Sequence, residues 1–308
     1  MTASVEFTGN VKRSGERMTA RRNVRRRTLG YTAPLVVVMA LTTLFPVGYA
    51  VYLSFFNWNW GTRFNFVGVA NYRALLTDST FWAAMGRTGL FTTGAVIVEL
   101  VLGMVLALAA HSTGSGVGVI RSVLIIPLMV SGIIVSVVWK VMLDNTLGVI
   151  PWALGQAHIP VPNFLGSSSL ALWTIVGIDA WWQTAFVFII LSAGLAGLSN
   201  EPFEAATVDG ASARQRFGYI TLPLLRPLIV TVALIRMVDC LKVFAIIFGT
   251  TNGGPGRSTE SAQMLAYRSG FKELAMSRSM TIMTIYAVMV IALVGIGALV
   301  WRRSSRDR

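Results

Sequence analysis

Six ionisable residues lie inside long apolar runs of this chain: Glu99, Lys140, Asp179, Arg236, Asp239 and Lys242. A charge at the centre of a bilayer costs about 2.5–3.5 kcal/mol on insertion scales, so Arg236, Asp239 and Lys242 together sum to roughly 8–10 kcal/mol. That is too much for a face turned to lipid. Their i, i+3, i+6 spacing drifts about 120° around a helix, which makes one sloping stripe facing protein or a water-filled cavity. Two chemistries are open to it. One is a buried ion pair, Asp239 with Arg236 or Lys242, that only fixes packing. The other is a polar lining for a solute path. Residual positive charge there suits a phosphorylated or acidic solute, or is neutralised by Asp179 or Glu99. Glu99 and Lys140 sit near the ends of their runs or beside small residues, where they can snorkel to the interface, and neither is assigned a function.

Other chemistry is excluded. No G-x-x-x-x-G-K-[ST] loop exists, so the chain is not expected to hydrolyse ATP. The two histidines, His111 and His158, fall on opposite sides of the expected membrane, and no Cys/His metal spacing is present. The single cysteine, Cys240, cannot form an internal disulfide.

The elements that must hold these residues are membrane helices. The chain is 54% hydrophobic and only 13% charged, with a mean hydropathy of +0.65. A crossing helix needs about 20 mostly apolar residues. Six such spans are expected, at about 31–56, 88–110, 122–143, 170–198, 227–251 and 279–301, which predicts an all-α integral membrane protein. The first run has a basic n-region, yet it is too long for a secretory h-region and shows no small-x-small cleavage site. The net charge of +13 is distributed by topology. Sixteen Lys and Arg fall in the two tails and the even loops, against seven in the odd loops. By the positive-inside rule both termini are cytoplasmic. The basic tails then need no nucleic-acid partner; they mark topology and attract anionic lipid in the bilayer. Residues 1–28 read as a disordered basic tail, 29–302 as the transmembrane domain and 303–308 as a second cytoplasmic tail. The outer segments 57–86, 144–169 and 252–278 are long enough to fold over the mouth of a bundle. The "TNGGPGRST" part of the last is turn-rich, and a plain loop and a contact with an external protein are both open for it.

One stretch breaks the apolar pattern: "EPFEAATVDGASARQRFGYITLPLLRP", 201–227. Ser199 or Asn200 can cap a helix there, with Pro202 in its first turn and Glu201 and Glu204 near its positive end. Asp209-Gly210 ends it, because glycine accepts the left-handed conformation of a tight turn. Ser212 can cap a second short helix through Phe217, and Pro223 stops or re-aims the chain. This predicts a helix–turn–helix on the cytoplasmic surface, over 199–223. An amphipathic interfacial linker and a docking site for a cytoplasmic partner are both compatible with it.

Glu204-Ala205-Ala206, then Gly210, Ile220 and Leu222-Pro223, reproduce the spacing EAA-x3-G-x9-I-x-LP. This resembles the EAA motif of the permease subunits of bacterial ATP-binding-cassette importers, where the loop's helices insert into a cleft of the nucleotide-binding subunit. Glu204, Ala205, Ala206, Asp209, Gly210, Ile220, Leu222 and Pro223 would then be the ATPase-coupling residues. "FVGVANYRALLTDSTFW" (66–82), "ELVLGMVLALA" (99–109), "IRSVLIIPLMVSGIIVSVVWKVMLD" (120–144) and "VDCLKVFAIIFGTTNGGPGRSTES" (238–261) resemble carbohydrate-importer permeases of the maltose and glycerol-phosphate type. The Asn-Gly-Gly-Pro segment, 252–255, favours the MalF-like over the MalG-like partner. The resemblance implies a heterodimer with a second, MalG-like permease, two nucleotide-binding ATPase subunits and an extracytoplasmic solute-binding protein. It also implies a multi-pass protein of the bacterial cytoplasmic membrane, with no cofactor of its own and ATP and Mg used by the partner subunits. Its sugar contacts map near Gln183, Phe186, Asp239, Cys240 and Val243; of these Gln183, Phe186 and Asp239, with Lys242 beside them, are the expected substrate-pathway residues. The chain departs from the pattern at Ala245, where an acidic residue is frequent. It also lacks the extra N-terminal helices and large external insert of the maltose permease. The rival expectation is an ion-coupled secondary transporter with Asp239, Asp179 and Glu99 as the relay. No internal repeat of the kind that class shows is visible, and the EAA spacing argues against it.

Overall fold

A computed structural model describes residues 32–61, 64–113 and 117–306. The expected disordered tail, 1–28, lies outside the described residues. The helices are α1 (Thr32–Ser54), α2 (Ala70–Leu76), α3 (Ser79–Thr113), α4 (Val117–Leu128), α5 (Gly132–Met142), α6 (Val149–Gln156), α7 (Ala171–Ala196), α8 (Glu201–Val208), α9 (Ala213–Arg216), α10 (Leu222–Leu241), α11 (Ala245–Thr250), α12 (Ala262–Tyr267) and α13 (Met276–Arg306). A two-residue antiparallel ribbon, Phe56–Asn57 with Asn65–Phe66, closes the segment after α1.

The span count differs from the expected six. Four single helices among the described residues are long and apolar enough to cross: Thr32–Ser54, Ser79–His111, Ala171–Ala196 and Met276–Gly297. The expected span 122–143 is a broken pair, Arg121–Leu128 and Gly132–Met142, bent by 98°. Pro127 in the last turn of α4 has no N–H to donate, and Ser131 is extended and starts α5 anew. The expected span 227–251 is also divided. α10 begins at Leu222, ends at Leu241, and carries Arg236 and Asp239; the chain resumes as α11 only at Ala245. α3 starts nine residues before the expected span, because Asp78 accepts the Thr80 N–H at 2.8 Å and so starts the helix.

α3 and α7 form the central pair, and three apolar clusters surround them. One joins Phe91, Val135, Ile175, Ile178, Val243 and Ile247, so it ties α3, α5 and α7 to the broken end of α10. A second, around Ala107, Val187, Phe188, Leu191 and Leu225, holds the other halves of α3 and α7 to the start of α10. A third packs α2, the start of α3, α12 and α13 around Phe81, Leu265 and Ile282. α5 and α11, the half-helices that follow the two breaks, touch at Gly249. A Cβ there would stand 1.8 Å from Ser136 Oγ, so only glycine permits this approach. α1 buries none of its apolar window against the rest of the chain.

Candidate functional site

Two regions bring the polar residues together, one at each end of α10. At the first end, α8 begins at Glu201, with Pro202 in its first turn; the Asn200 side chain makes no cap bond, and Ser199 Oγ accepts the Glu201 N–H at 3.4 Å. It ends as expected: Ala211 N–H donates to the Ala206 carbonyl at 2.9 Å, and Gly210 takes φ +72°. Ser212 and Gln215 form a reciprocal capping box that starts α9. Arg216 Nη1 donates to Thr207 Oγ1 at 3.3 Å and ties the two short helices. Glu204, Ala205, Asp209, Gly210, Leu222 and Pro223 are exposed, and Ala206 and Ile220 are half-buried. No residue of α8 or α9 is buried, and Val208 (89%) and Tyr219 (82%) face solvent without packing.

Of the two outcomes expected at Pro223, a stop or a change of direction, the stop does not occur. α9 passes through a π-turn, Phe217–Thr221, into α10, and the joints at Phe217, Thr221 and Leu222 all keep right-handed helical angles. A proline without an N–H is tolerated in the first turn of α10, and the wide turn before it absorbs the mismatch. One helical rod therefore runs from Ala213 to Leu241, about 40 Å at 1.5 Å per residue.

At the far end of that rod the charged residues divide into two layers. Arg236 is buried (3% exposed) and donates through Nε and Nη2 to Glu99 at 2.5 and 2.8 Å. Its Nη2 also reaches Asp179 Oδ2 at 3.1 Å and Cys240 Sγ at 3.4 Å. Glu99, with no exposed surface, is therefore a core partner and not a snorkelling residue. α3, α7 and α10 each contribute one member of this triad. Above it, Asp239 and Lys242 are 46% and 59% exposed and pair at 3.0 Å, with Arg236 Nη1 3.7 Å from the second Asp239 oxygen. Lys140 is exposed at the end of α5.

Asp179 and Arg236 of the triad and the Asp239–Lys242 pair line a cavity of about 350 Å³, walled also by Phe91, Trp182, Gln183, Val243, Phe244 and Ala245. The two helix breaks shape it. Trp182 Nε1 donates to the Val130 carbonyl, left free where α4 gives way to α5, at 3.2 Å. Tyr286 donates to the Leu241 carbonyl at the end of α10, and Ser261 Oγ to the Val243 carbonyl at 3.0 Å. Non-helical backbone at membrane depth needs such donors. Of the expected pathway residues, Gln183, Asp239 and Lys242 line this cavity. Phe186 sits one helical turn further along α7 and packs with Val187 and Leu191 instead. Sequence reasoning missed Trp182 and Tyr286 as supports of the breaks; the Pro127 and Ser131-Gly132 punctuation was the available signal.

Glu99, Asp179 and Cys240 place three donor atoms within 4.8 Å of one another. The Arg236 guanidinium stands among all three and supplies the positive charge that a metal would bring. A third buried carboxylate, Glu260, lies outside the cavity directly after the turn-rich stretch, with Arg268 Nε at 3.0 Å and Arg257 Nε at 3.9 Å.

Residues 99–304 match the family model described as binding-protein-dependent transport system inner membrane component. The trehalose/maltose transport system permease protein MalF of Thermococcus litoralis is 34% identical, over 81% of this chain and 86% of its own. The sn-glycerol-3-phosphate transport system permease protein UgpA of Agrobacterium fabrum is 30% identical, over 85% of this chain and 89% of its own. The fold matches a chain in the crystal structure of a bacterial ABC transporter involved in the import of the acidic polysaccharide alginate, at a TM-score of 0.79 and 20% identity. That match covers 92% of this chain and 99% of that one.

Proposed function

The chain belongs to the binding-protein-dependent inner membrane components, permease subunits of ATP-binding-cassette transporters in the inner membrane, and from that premise we propose how its two polar regions work together. It forms half of the translocation pathway for a sugar or a related polyol or glycerol-phosphate solute. An external binding protein delivers the solute, and a second, MalG-like permease completes the path. Two ATPase subunits engage the 199–223 loop. They use ATP and Mg, and this chain binds neither.

The observation that carries this reading is the continuous rod from Ala213 to Leu241. Its near end follows the unpacked α8, where Glu204, Ala205 and Gly210 stand exposed for a docking cleft. Its far end holds Arg236 and Asp239 at the cavity. Displacement of the loop by nucleotide-driven closure moves the rod, and the rod moves two of the charged residues relative to α3 and α7. Solute enters from outside while the path faces outward and leaves inward after hydrolysis.

The ion-coupled alternative is not favoured. Glu99 and Asp179 are buried and bonded to Arg236, so neither is free to carry a proton or ion through the cavity. Purification of the tagged chain in mild detergent, with mass spectrometry of its companions, tests the proposal. Recovery of an ATPase and a second permease, both lost in Glu204→Lys or Gly210→Trp, is the expected result. A chain that purifies alone and moves solute on an ion gradient without ATP overturns it.

A further inference from the structure

Arg236 is buried with two acids where one would neutralise it. Its Nε and Nη2 donate to Glu99 Oε2 and Oε1 at 2.5 and 2.8 Å, a two-pronged contact with α3. Nη2 also reaches Asp179 Oδ2 at 3.1 Å, a single contact with α7. Asp239 replaces neither of them: it is half-exposed, pairs with Lys242 at 3.0 Å, and lies 3.7 Å from Nη1. Packing alone does not call for the second buried acid. An asparagine at 179 would accept the same N–H without adding another acid to a membrane core, where each one is costly. What an acid offers beyond an amide is a counter-charge.

The way the three helices are joined shows where a second counter-charge is needed. α3 and α7 pack together over both of their halves, so Glu99 and Asp179 stand on one body. Arg236 stands on the rod that begins at the loop. A rod that shifts along that body carries a buried cation with it, and a buried cation parted from its only carboxylate is heavily penalised. Packed helices shift past one another by about 1–2 Å in such transitions. A shift of that size from Glu99 toward Asp179 exchanges the two-pronged and the single contact, and Arg236 stays neutralised throughout. We infer that Glu99 and Asp179 are alternative seats for Arg236, positioning residues that give the rod two arrangements, and that the arrangement in this structure is the Glu99-seated one. The inference deepens the proposed function and rests on its moving rod. Glu99 does not line the cavity, so its part in transport runs through Arg236.

The experiment uses the complete complex, this chain with its companion permease and ATPases, in nanodiscs. Paramagnetic labels are placed at Leu90 on α3 and Leu224 on α10, which are exposed on this chain, while the native Cys240 is buried. Leu90 lies nine residues from Glu99, and Leu224 twelve from Arg236 in the opposite direction, so the labels stand about 30 Å apart along the bundle and a sliding rod changes their distance directly. The natural protein is expected to show two distances whose ratio changes when ATP and vanadate are added. Asp179→Asn leaves only the Glu99 seat charged and should shift the ratio toward the distance of this structure by about tenfold or more; Glu99→Gln should shift it the other way by a similar factor. Glu99→Asp and Asp179→Glu keep both charges and should retain both distances, which a side chain needed only for packing would not predict. Shifts in the same direction, or an unchanged ratio in both variants, overturn the inference. Where Glu99→Gln does not assemble, Asp179→Asn decides: loss of the second distance supports the two seats, and its persistence overturns them. ATP-dependent uptake by the natural complex in vesicles is read in parallel. Opposite shifts without ATP-dependent uptake sink the importer reading and leave the two seats standing. ATP-dependent uptake with shifts in one direction does the reverse.

Discussion

Glu99→Gln is the perturbation that most directly tests the buried triad. Glu99 has no exposed surface, and its two oxygens lie 2.5 and 2.8 Å from Arg236. At about 2.8 Å and an effective dielectric near 20, the charge–charge attraction is roughly 6 kcal/mol before desolvation is subtracted. Glutamine keeps the volume and one acceptor but removes the charge, leaving Arg236 with Asp179 as its closest carboxylate at 3.1 Å. Breaking a buried pair from one side costs about 3–5 kcal/mol, because the remaining charge stays buried. The retained acceptor and Asp179 place the expected loss at the lower end of that range. Denaturant titration in detergent micelles, followed by tryptophan fluorescence, reads it. The double variant Glu99→Gln, Arg236→Gln removes the stranded charge as well. Its loss is expected to fall short of the sum of the two single losses by about 1–3 kcal/mol. Additivity within about 0.5 kcal/mol would refute the reasoning, because it would mean that the two side chains do not sense each other.

Asp239→Asn removes a half-exposed charge and is expected to cost less than about 1 kcal/mol in the same titration, so a loss of uptake in this variant would not be a loss of folding. Gly249→Ala forces a methyl onto Ser136 and should destabilise by about 1–3 kcal/mol, checked by the denaturation midpoint. Ser212→Ala removes the capping box and should cost the loop about 0.5–2 kcal/mol, seen as faster hydrogen exchange across 213–216 with little change elsewhere. Asp144, fully exposed outside the spans, is held below the ordinary carboxylate range by bonds from the Thr146 hydroxyl and from the Leu147 and Thr146 N–H groups. A depressed carboxylate stabilises its turn above its unfolded pKa, and that support is lost as pH falls through the folded one. Exchange protection at 146–147 should therefore persist below pH values that protonate a free aspartate, and vanish on further acidification.

The sequence by itself determined the class of protein and the helix–turn–helix that interrupts its apolar pattern. Apolar runs of more than 20 residues admit little but membrane helices, and the turn chemistry of Asp209-Gly210 and Ser212 is local, written in residues within four positions of one another. Both are therefore legible without a tertiary contact, and the structure forms α8, the Gly210 turn and the Ser212 cap where those residues call for them. What the sequence suggested but could not fix was continuity. Pro223 reads locally as a stop or a change of direction, yet helical residues run through it, because the wide π-turn Phe217–Thr221 just before it accommodates the ring and the missing N–H. Conversely, the apolar run 122–143 reads as one span but breaks at 129–131, and Trp182, distant in the chain, satisfies the freed carbonyl. Only the tertiary structure decided the electrostatics. Arg236 lies 137 positions from Glu99 and 57 from Asp179, and no periodicity within one helix reveals which charges meet. The stripe on α10 demanded partners because bare charge in a membrane is costly. The packing of α3 and α7 supplied them, and it left Asp239 and Lys242 half-exposed at the cavity while Arg236 is buried in its carboxylate partners.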